Sequence, residues 1–509
     1  MLKLLLFVLI FIVIVLSIII VVELDNSINE TTTGTITKLS KNFKVGHFLS
    51  HFFILFCLTN RSDCDILMKI LFEGIILCDE NVDLNMGDYI KLELPTEVED
   101  ILVVLNNYGS EGYVLGGCVR DSLMGRTPHD WDICTDALPE FTMKVFSGLN
   151  YKVIETGIQH GTITVIPQNS NNKYEITTYR IDGIYEDRRH PKNVTFIEDI
   201  TFDLMRRDFT INAIAYNPMC GFVDPFGGMD DIKNRLIRCV GSASDRFIED
   251  PLRILRAVRF SLQLNFNIIN ETYWAIMRYI PFLSEVSAER IRDEIIKSLK
   301  SDKLKIDGIC LLYKCLEGIY PKYFSCAGNP YKAVNTQMLS QLSLDDPIEE
   351  KLAIFFRLNS NLGDEIGEVL RKLRFDNKTI KDVQQINDYF DIFRLFGCRL
   401  LNNDASLKSL MRNGLVKNLF IALNYYGIYA PKNYDEVVQA KNRISEIICN
   451  NECYSLAQLA VNGADIVSEL GVKGKVVGEY LEKLLALVCS GKLENDKEIL
   501  IEYLKKNGE

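Results

Sequence analysis

The chain has 509 residues, too many for one hydrophobic core, so about two to four domains are expected. Its composition, 48% hydrophobic and 25% charged, excludes a fibrous or low-complexity chain. With a net charge of −11 no overall basic field draws in nucleic acid, and a polyanionic ligand must be met by local clusters of Arg and Lys. Fourteen cysteines are scattered without a Cys-x-x-Cys pair, which argues against structural zinc and suits a reducing cytoplasmic compartment. The five histidines, His47, His51, His129, His160 and His190, all lie in the first 190 residues. Histidine-based chemistry, including a His-Asp phosphohydrolase, is therefore excluded from the C-terminal half.

Residues 1–85 stand apart. Leu2 to Val22 is almost wholly aliphatic and about as long as a bilayer-spanning helix. Two readings remain open: an N-terminal membrane anchor, or an upstream start codon preceding Met86, given a bias to Ile, Leu, Phe and Asn that A/T-rich DNA yields in any frame. A membrane partner is implied only if these residues are made. After Met86 a helical pattern begins at Val98, Ile101, Leu102 and Leu105.

Residues 86–240 mix strand and helix patterns. Strand-like runs are Tyr113–Leu115, Trp131–Ile133, Gly161–Ile166 and Tyr174–Tyr179, with helical patterns at Cys118–Met124 and Glu140–Leu149. Gly116-Gly117 sits between a strand and a helix, where the backbone can approach phosphate oxygens. Just beyond it, Asp130 and Asp132 are two residues apart and project to one face of an extended segment. Adjacent carboxylates repel unless a cation lies between them, and oxygen ligands suit a hard divalent ion. Glu175, a charge inside an apolar strand, is the best third ligand, since burial there is costly without a partner. Together with Arg120 this pattern points to a metal-dependent nucleotidyl transferase working by two-metal phosphoryl-type transfer.

After Asp250-Pro251 long 3.6-period segments run to the C-terminus, interrupted near Gly328-Asn329-Pro330 and Pro431-Lys432-Asn433. Taken by itself, Asp before Pro reads first as a helix N-cap with Pro at the first helical position. Arg253, Arg256 and Arg259 recur every three residues with no acid between them, so a basic stripe that contacts a triphosphate and base is expected. Asp250 with Arg253 would complement the amino donor and ring-nitrogen acceptor shared by cytosine and adenine, and would leave unpaired groups against uracil or guanine.

The run Gly116-Gly117-Cys118-Val119-Arg120-Asp121, with Gly125, Arg126, Asp130 and Asp132, resembles the signature of bacterial-type (class II) CCA-adding tRNA nucleotidyltransferases and the related poly(A) polymerases. The likeness continues through Thr156-Gly157-Ile158-Gln159-His160-Gly161-Thr162, Arg206-Arg207-Asp208, Asn212, Asp224 to Gly228, Glu249 to Phe260 and Glu289 to Glu294. It is strong over residues 86–300, weaker in the tail and absent from the first 85.

The resemblance implies an α+β chain: a polymerase-β-type nucleotidyltransferase head (86–240), then an all-helical neck (241–305), body (306–430) and tail (431–509). It implies addition of C, C and A to the tRNA 3′ end from CTP and ATP with Mg²⁺, and no protein partner. By position, Asp130, Asp132 and Glu175 match the metal-binding acids. Gly117, Arg120 and Arg207 match nucleotide-contacting positions, Asp208 and Asn212 the ribose segment, and Asp250, Arg253, Arg256 and Arg259 the base-recognising helix. The alternatives are a poly(A) polymerase or a partial, CC- or A-adding enzyme. The loop Asp187-Arg188-Arg189-His190-Pro191 favours addition of both bases, and Thr156–Thr162 favours CCA addition over poly(A). Gly471-Val472-Lys473-Gly474-Lys475 reads either as a phosphate-binding turn for tRNA or as an ordinary helix cap.

Overall fold

A computed structural model describes residues 91–183, 193–302, 304–324, 339–343, 345–357 and 365–507. The expectations for residues 1–85, the Leu2–Val22 segment, the Asp187–Pro191 loop and Gly328–Pro330 lie outside the described residues. No helix among those described is long and apolar enough to cross a membrane.

The head starts with α1 (Thr96–Asn107), whose expected stripe of Val98, Ile101, Leu102 and Leu105 is buried. It leads into β1 (Gly112–Leu115), α2 (Gly117–Leu123), β2 (Asp132–Thr135), α3 (Pro139–Gly148), β3 (Lys152–Gly157), β4 (Thr162–Ile166) and β5 (Tyr174–Thr178). A small hairpin, β6 (Arg180–Asp182) with β7 (Val194–Phe196), precedes α4 (Ile200–Met205), β8 (Ala215–Asn217) and β9 (Gly221–Val223). The seven-stranded sheet has the order β3-β4-β5-β2-β1-β8-β9, and only β2 and β5 run parallel.

Strand alternation divides the apolar residues between the two faces of this sheet. Val114, Ile133, Ile163 and Ile176 pack on one side with Val98, Ile101 and Phe146 of the helices. Tyr113, Leu115, Cys134 and Ala215 pack on the other with Ile200 and Leu204 of α4. Gly112 lets the sheet approach α1: a Cβ there would lie 2.8 Å from Leu105 Cδ1.

After α5 (Gly228–Asn234) and β10 (Leu236–Ile237) the neck comprises α6 (Ala243–Glu249), α7 (Leu252–Leu264), α8 (Asn270–Tyr279) and α9 (Ala288–Leu299). One exception to an all-helical neck is β11 (Asn267–Ile268), which pairs in parallel with β10. The first body helix is α10 (Ile306–Ile319), and α7 and α10 meet closely where a Cβ on Gly308 would come 2.5 Å from Leu262.

One hydrophobic cluster gathers buried residues between Phe209 and Ile447, so helices on both sides of the expected neck–body boundary share an interior. Pro431–Asn433 form a 3₁₀ turn between two helices of that core, Val416–Tyr429 and Tyr434–Cys449. A separate cluster, Cys453 to Leu504, forms the interior of the last segment.

The helical interior also holds an acid. Glu350 is 1% exposed and its Oε2 has no hydrogen-bond partner. Burial, with Asp346 adding and Lys441 and Lys351 opposing, pushes its carboxyl up to about 7. A carboxyl raised on folding binds its proton more tightly in the native state, so its contribution is present below the unfolded value and fades as pH rises through about 7. The expected cost of ionisation is on the order of 3 kcal/mol. Glu350→Gln should therefore flatten the fall in melting temperature between pH 5 and 8; an unchanged pH profile in thermal melts would show that Glu350 is solvated.

Candidate active site

The Gly-Gly turn is fixed by its neighbours. Gly116 has φ +78° and ψ −125°, a region closed to side chains, and a Cβ there would stand 2.9 Å from Arg207 Nη1. Its N–H donates to the Ile214 carbonyl (3.0 Å), tying the end of β1 to the segment that carries Asp208 and Asn212. Gly228 packs under that segment, since a Cβ there would fall 2.2 Å from the Thr210 carbonyl oxygen.

β2 and β5 bring two of the expected acids together. In their parallel register Asp132 pairs with Glu175, which places both side chains on one face of adjacent strands. Asp130, Asp132 and Glu175 are all exposed, so the expectation that Glu175 is a buried charge is corrected: it stands on the open face of β5, which avoids the desolvation cost. Protein crowded around its base nevertheless raises the Asp132 carboxyl above the ordinary range, with Arg207 lowering it and the Asp130 charge raising it. Among the described residues no three such side chains converge into a ready-made metal cage. The donor set still suits a hard divalent cation: carboxylates only, two of them in register and two repelling each other.

Arg207 stands between this acidic face and the glycine turn. Its Nη2 lies 3.6 Å from the buried Asp203 carboxylate, while its Nε is buried with no hydrogen-bond partner. Asp203 also receives Arg206 (2.8 Å) and the Arg180 N–H (3.3 Å). Sequence reading missed Asp203, although its spacing, three before Arg206 and four before Arg207 at the C-terminal end of α4, was the available signal.

A second group joins head to neck. Arg120, 8% exposed, donates to Asp121 (2.9 and 3.0 Å) and from Nη1 to Asn212 Oδ1 (2.6 Å). Asn212 Nδ2 donates to Asp208 Oδ1 (3.1 Å), and Asp208 Oδ2 accepts from Arg256 Nε (2.7 Å). Burial would raise the Asp208 carboxyl, but Arg256, Asn212 and Arg253 hold it down at about 2.

The arginine stripe of α7 departs from expectation, because acids from other elements reach every member. Arg253 pairs with Glu249 (2.6 Å) and donates to the Arg206 carbonyl (3.1 Å), and Arg256 takes Asp208. Arg259 is turned into the neck core against Glu294 of α9 (2.6 Å). The helical period explains this: a three-residue step falls short of a full turn, so Arg259 is rotated by about 120° from Arg253. Asp250 and Arg253 are not paired with each other. Asp250 accepts from Arg290 (2.8 Å) and also from the Leu252 N–H (3.0 Å), so its capping role is real.

Known proteins match this arrangement. The Poly A polymerase head domain model covers residues 112–238, and tRNA nucleotidyltransferase domain 2 covers residues 346–504. The CCA-adding enzyme of Lactobacillus delbrueckii subsp. bulgaricus is 36% identical over 419 residues, spanning 81% of this chain and 98% of that protein. The chain belongs to the CCA-adding enzyme family. The Staphylococcus aureus CCA-adding enzyme is 31% identical over 413 residues, with 80% and 97% covered. Among solved structures, the Bacillus stearothermophilus CCA-adding enzyme in complex with CTP superposes with a TM-score of 0.66 at 29% identity, covering 81% of this chain and 97% of that one. The Thermotoga maritima CCA-adding enzyme complexed with tRNA shares the fold at 22% identity and a TM-score of 0.57.

The glycine turn gives a direct check. Gly116→Ala should cost about 1–3 kcal/mol through its backbone conformation. It should also displace Arg207 and lower nucleotide incorporation by roughly tenfold or more, about 1.4 kcal/mol per decade. Urea melts and turnover assays measure both; wild-type stability and turnover would mean that the turn relaxes freely.

Proposed function

We propose that this chain adds C, C and A in turn to the 3′ end of tRNA, using CTP and ATP without a nucleic-acid template and releasing pyrophosphate. The observation that carries the reading is the in-register pairing of Asp132 with Glu175 beside Arg207 and the glycine turn, in a chain whose relatives are CCA-adding enzymes over 80% or more of its length.

Asp130, Asp132 and Glu175 would hold divalent metal, for which we propose Mg²⁺. The bound metal would make the attacking hydroxyl more acidic and offset the charge of the triphosphate. Gly117, Arg120, Arg207 and Arg256 would seat the triphosphate, with Asp208 and Asn212 beside the ribose. Asp250 and Arg253 would read the base, held respectively by Arg290 and Glu249 so that each presents a fixed edge. Arg259 would act from within the neck core.

Head, neck, body and tail would divide as expected from the sequence, with the later helices gripping the tRNA by shape and phosphate contacts. Gly471 (φ +68°) closes the helix Gly463–Leu470 and Gly474 (φ +72°) opens Lys475–Cys489, which supports the capping reading of that turn. A cytoplasmic location is part of the proposal.

The decisive test is a product ladder with each nucleotide supplied separately to a tRNA lacking its 3′ end. C, C and A followed by a stop is expected, and long A-tails on unrelated RNA would move the assignment to poly(A) polymerase. Chelation should abolish incorporation and added Mg²⁺ should restore it. Asp130→Ala should abolish incorporation while tRNA binding persists; near-normal turnover would remove Asp130 from the metal site. Arg253→Ala should relax base choice, measured as UTP and GTP misincorporation, and an unchanged preference would leave Arg253 a purely structural role.

A further inference from the structure

Phe260 is buried at the head–neck junction, yet three guanidinium groups lie over its ring. Arg259 Cζ is 4.0 Å from the ring centroid, Arg120 Cζ 5.2 Å and Arg256 Cζ 5.4 Å. All are within the range at which a cation is attracted to an aromatic face. Arg256 and Arg259 come from the same helix as Phe260, but Arg120 comes from α2 in the head. Each cation has its own carboxylate: Asp121 for Arg120, Asp208 for Arg256 and Glu294 for Arg259. Three like charges therefore share one ring without collapsing on it or flying apart.

The ring itself cannot drift. Arg259 is locked by Glu294 and Gln263, and Phe209 meets Phe260 edge-on at 5.7 Å and 82°. A second connection runs between the two outer arginines, from Arg120 through Asn212 and Asp208 to Arg256. Phe260 thus closes a loop: ring, Arg120, Asn212, Asp208, Arg256 and back to the ring. Arg256 uses Nε and Nη2 on Asp208, which leaves its Nη1 N–H groups uncommitted among the described residues.

We infer that Phe260 is a positioning residue for nucleotide binding, its ring setting the angle at which Arg120 of the head and Arg256 of the neck meet one incoming triphosphate. The inference rests on the proposed function, since it takes those arginines as triphosphate contacts. An aliphatic side chain of similar bulk would fill the same space but would offer no π-face to hold the forks. Because a triphosphate is common to both substrates, loss of the ring weakens CTP and ATP alike. Asp250 and Arg253, proposed to read the base, are held by Arg290 and Glu249 and not by a cation–π contact with the ring among the described residues, so the choice between bases is untouched.

The test compares the full chain with Phe260→Leu, Phe260→Tyr and Leu262→Ala. Leu262 is on the same helix, is buried and packs on Gly308 of α10, so its truncation controls for lost core packing. Equilibrium Kd values for CTP and ATP, steady-state KM and kcat on a tRNA lacking its 3′ end, and thermal melts are measured for each. Phe260→Leu should raise Kd and KM for both nucleotides by about tenfold, with the CTP-to-ATP ratio and base choice unchanged. Phe260→Tyr, which keeps the ring, should restore most of the affinity. Leu262→Ala should melt earlier with near-normal Kd.

Affinities within about twofold of wild type in Phe260→Leu, alongside a melting shift like that of Leu262→Ala, would overturn the proposal and leave Phe260 a core residue. Equal loss in the leucine and tyrosine variants would overturn it too. Failure of the wild-type chain to extend tRNA would count against the proposed function, and is read separately because the Kd measurements need no turnover.

Discussion

A single buried carboxylate, Asp208, joins the parts of this molecule that bear chemistry. It sits where the strand-bearing head meets the first neck helices, bonded on one side to Asn212 and through it to Arg120, on the other to Arg256. An unpaired buried anion would be costly, so Asp208 stays ionised only while both connections hold. Charge neutralisation at the junction therefore also fixes the geometry. The helix that follows the glycine turn and the arginine helix are held in one arrangement because this carboxylate needs all its partners.

The same logic extends outward. Asp203 gathers Arg206 and Arg207, Glu249 bridges Arg246 and Arg253, and Arg290 steadies Asp250. A chain of net negative charge assembles a local array of arginines this way, each held by an acid that limits its freedom. Under the proposed function such pre-orientation would lower the entropic cost of engaging a flexible triphosphate. The acidic face formed by Asp130, Asp132 and Glu175 is the opposite case. Its carboxylates are exposed, and under the proposed function this oxygen-rich face would take a divalent cation.

Much of this was legible in the residues. The α1 stripe, the strand runs Tyr113–Leu115 and Trp131–Ile133, and the Gly-Gly turn followed from residue pattern and backbone chemistry, and the structure shows them at nearly the expected bounds. The interior shared across the expected neck–body boundary was not legible, because helices from residues 252 to 447 meet through contacts that no local pattern records. Nor were the partners of Arg253, Arg256 and Arg259. The acids that neutralise the last two, Asp208 and Glu294, lie 48 and 35 residues away along the chain.

The sequence by itself determined which residue types were available: the carboxylates Asp130, Asp132 and Glu175, a glycine turn, a run of arginines and a helical C-terminal half. These follow from short-range rules of spacing and steric freedom. Only the tertiary structure decided who faces whom: that Asp132 lies in register with Glu175, that Glu175 is exposed, and that Arg259 turns inward while Arg256 reaches Asp208. Strand register and helix rotation arise from packing between distant segments, where burial and charge pairing are settled together.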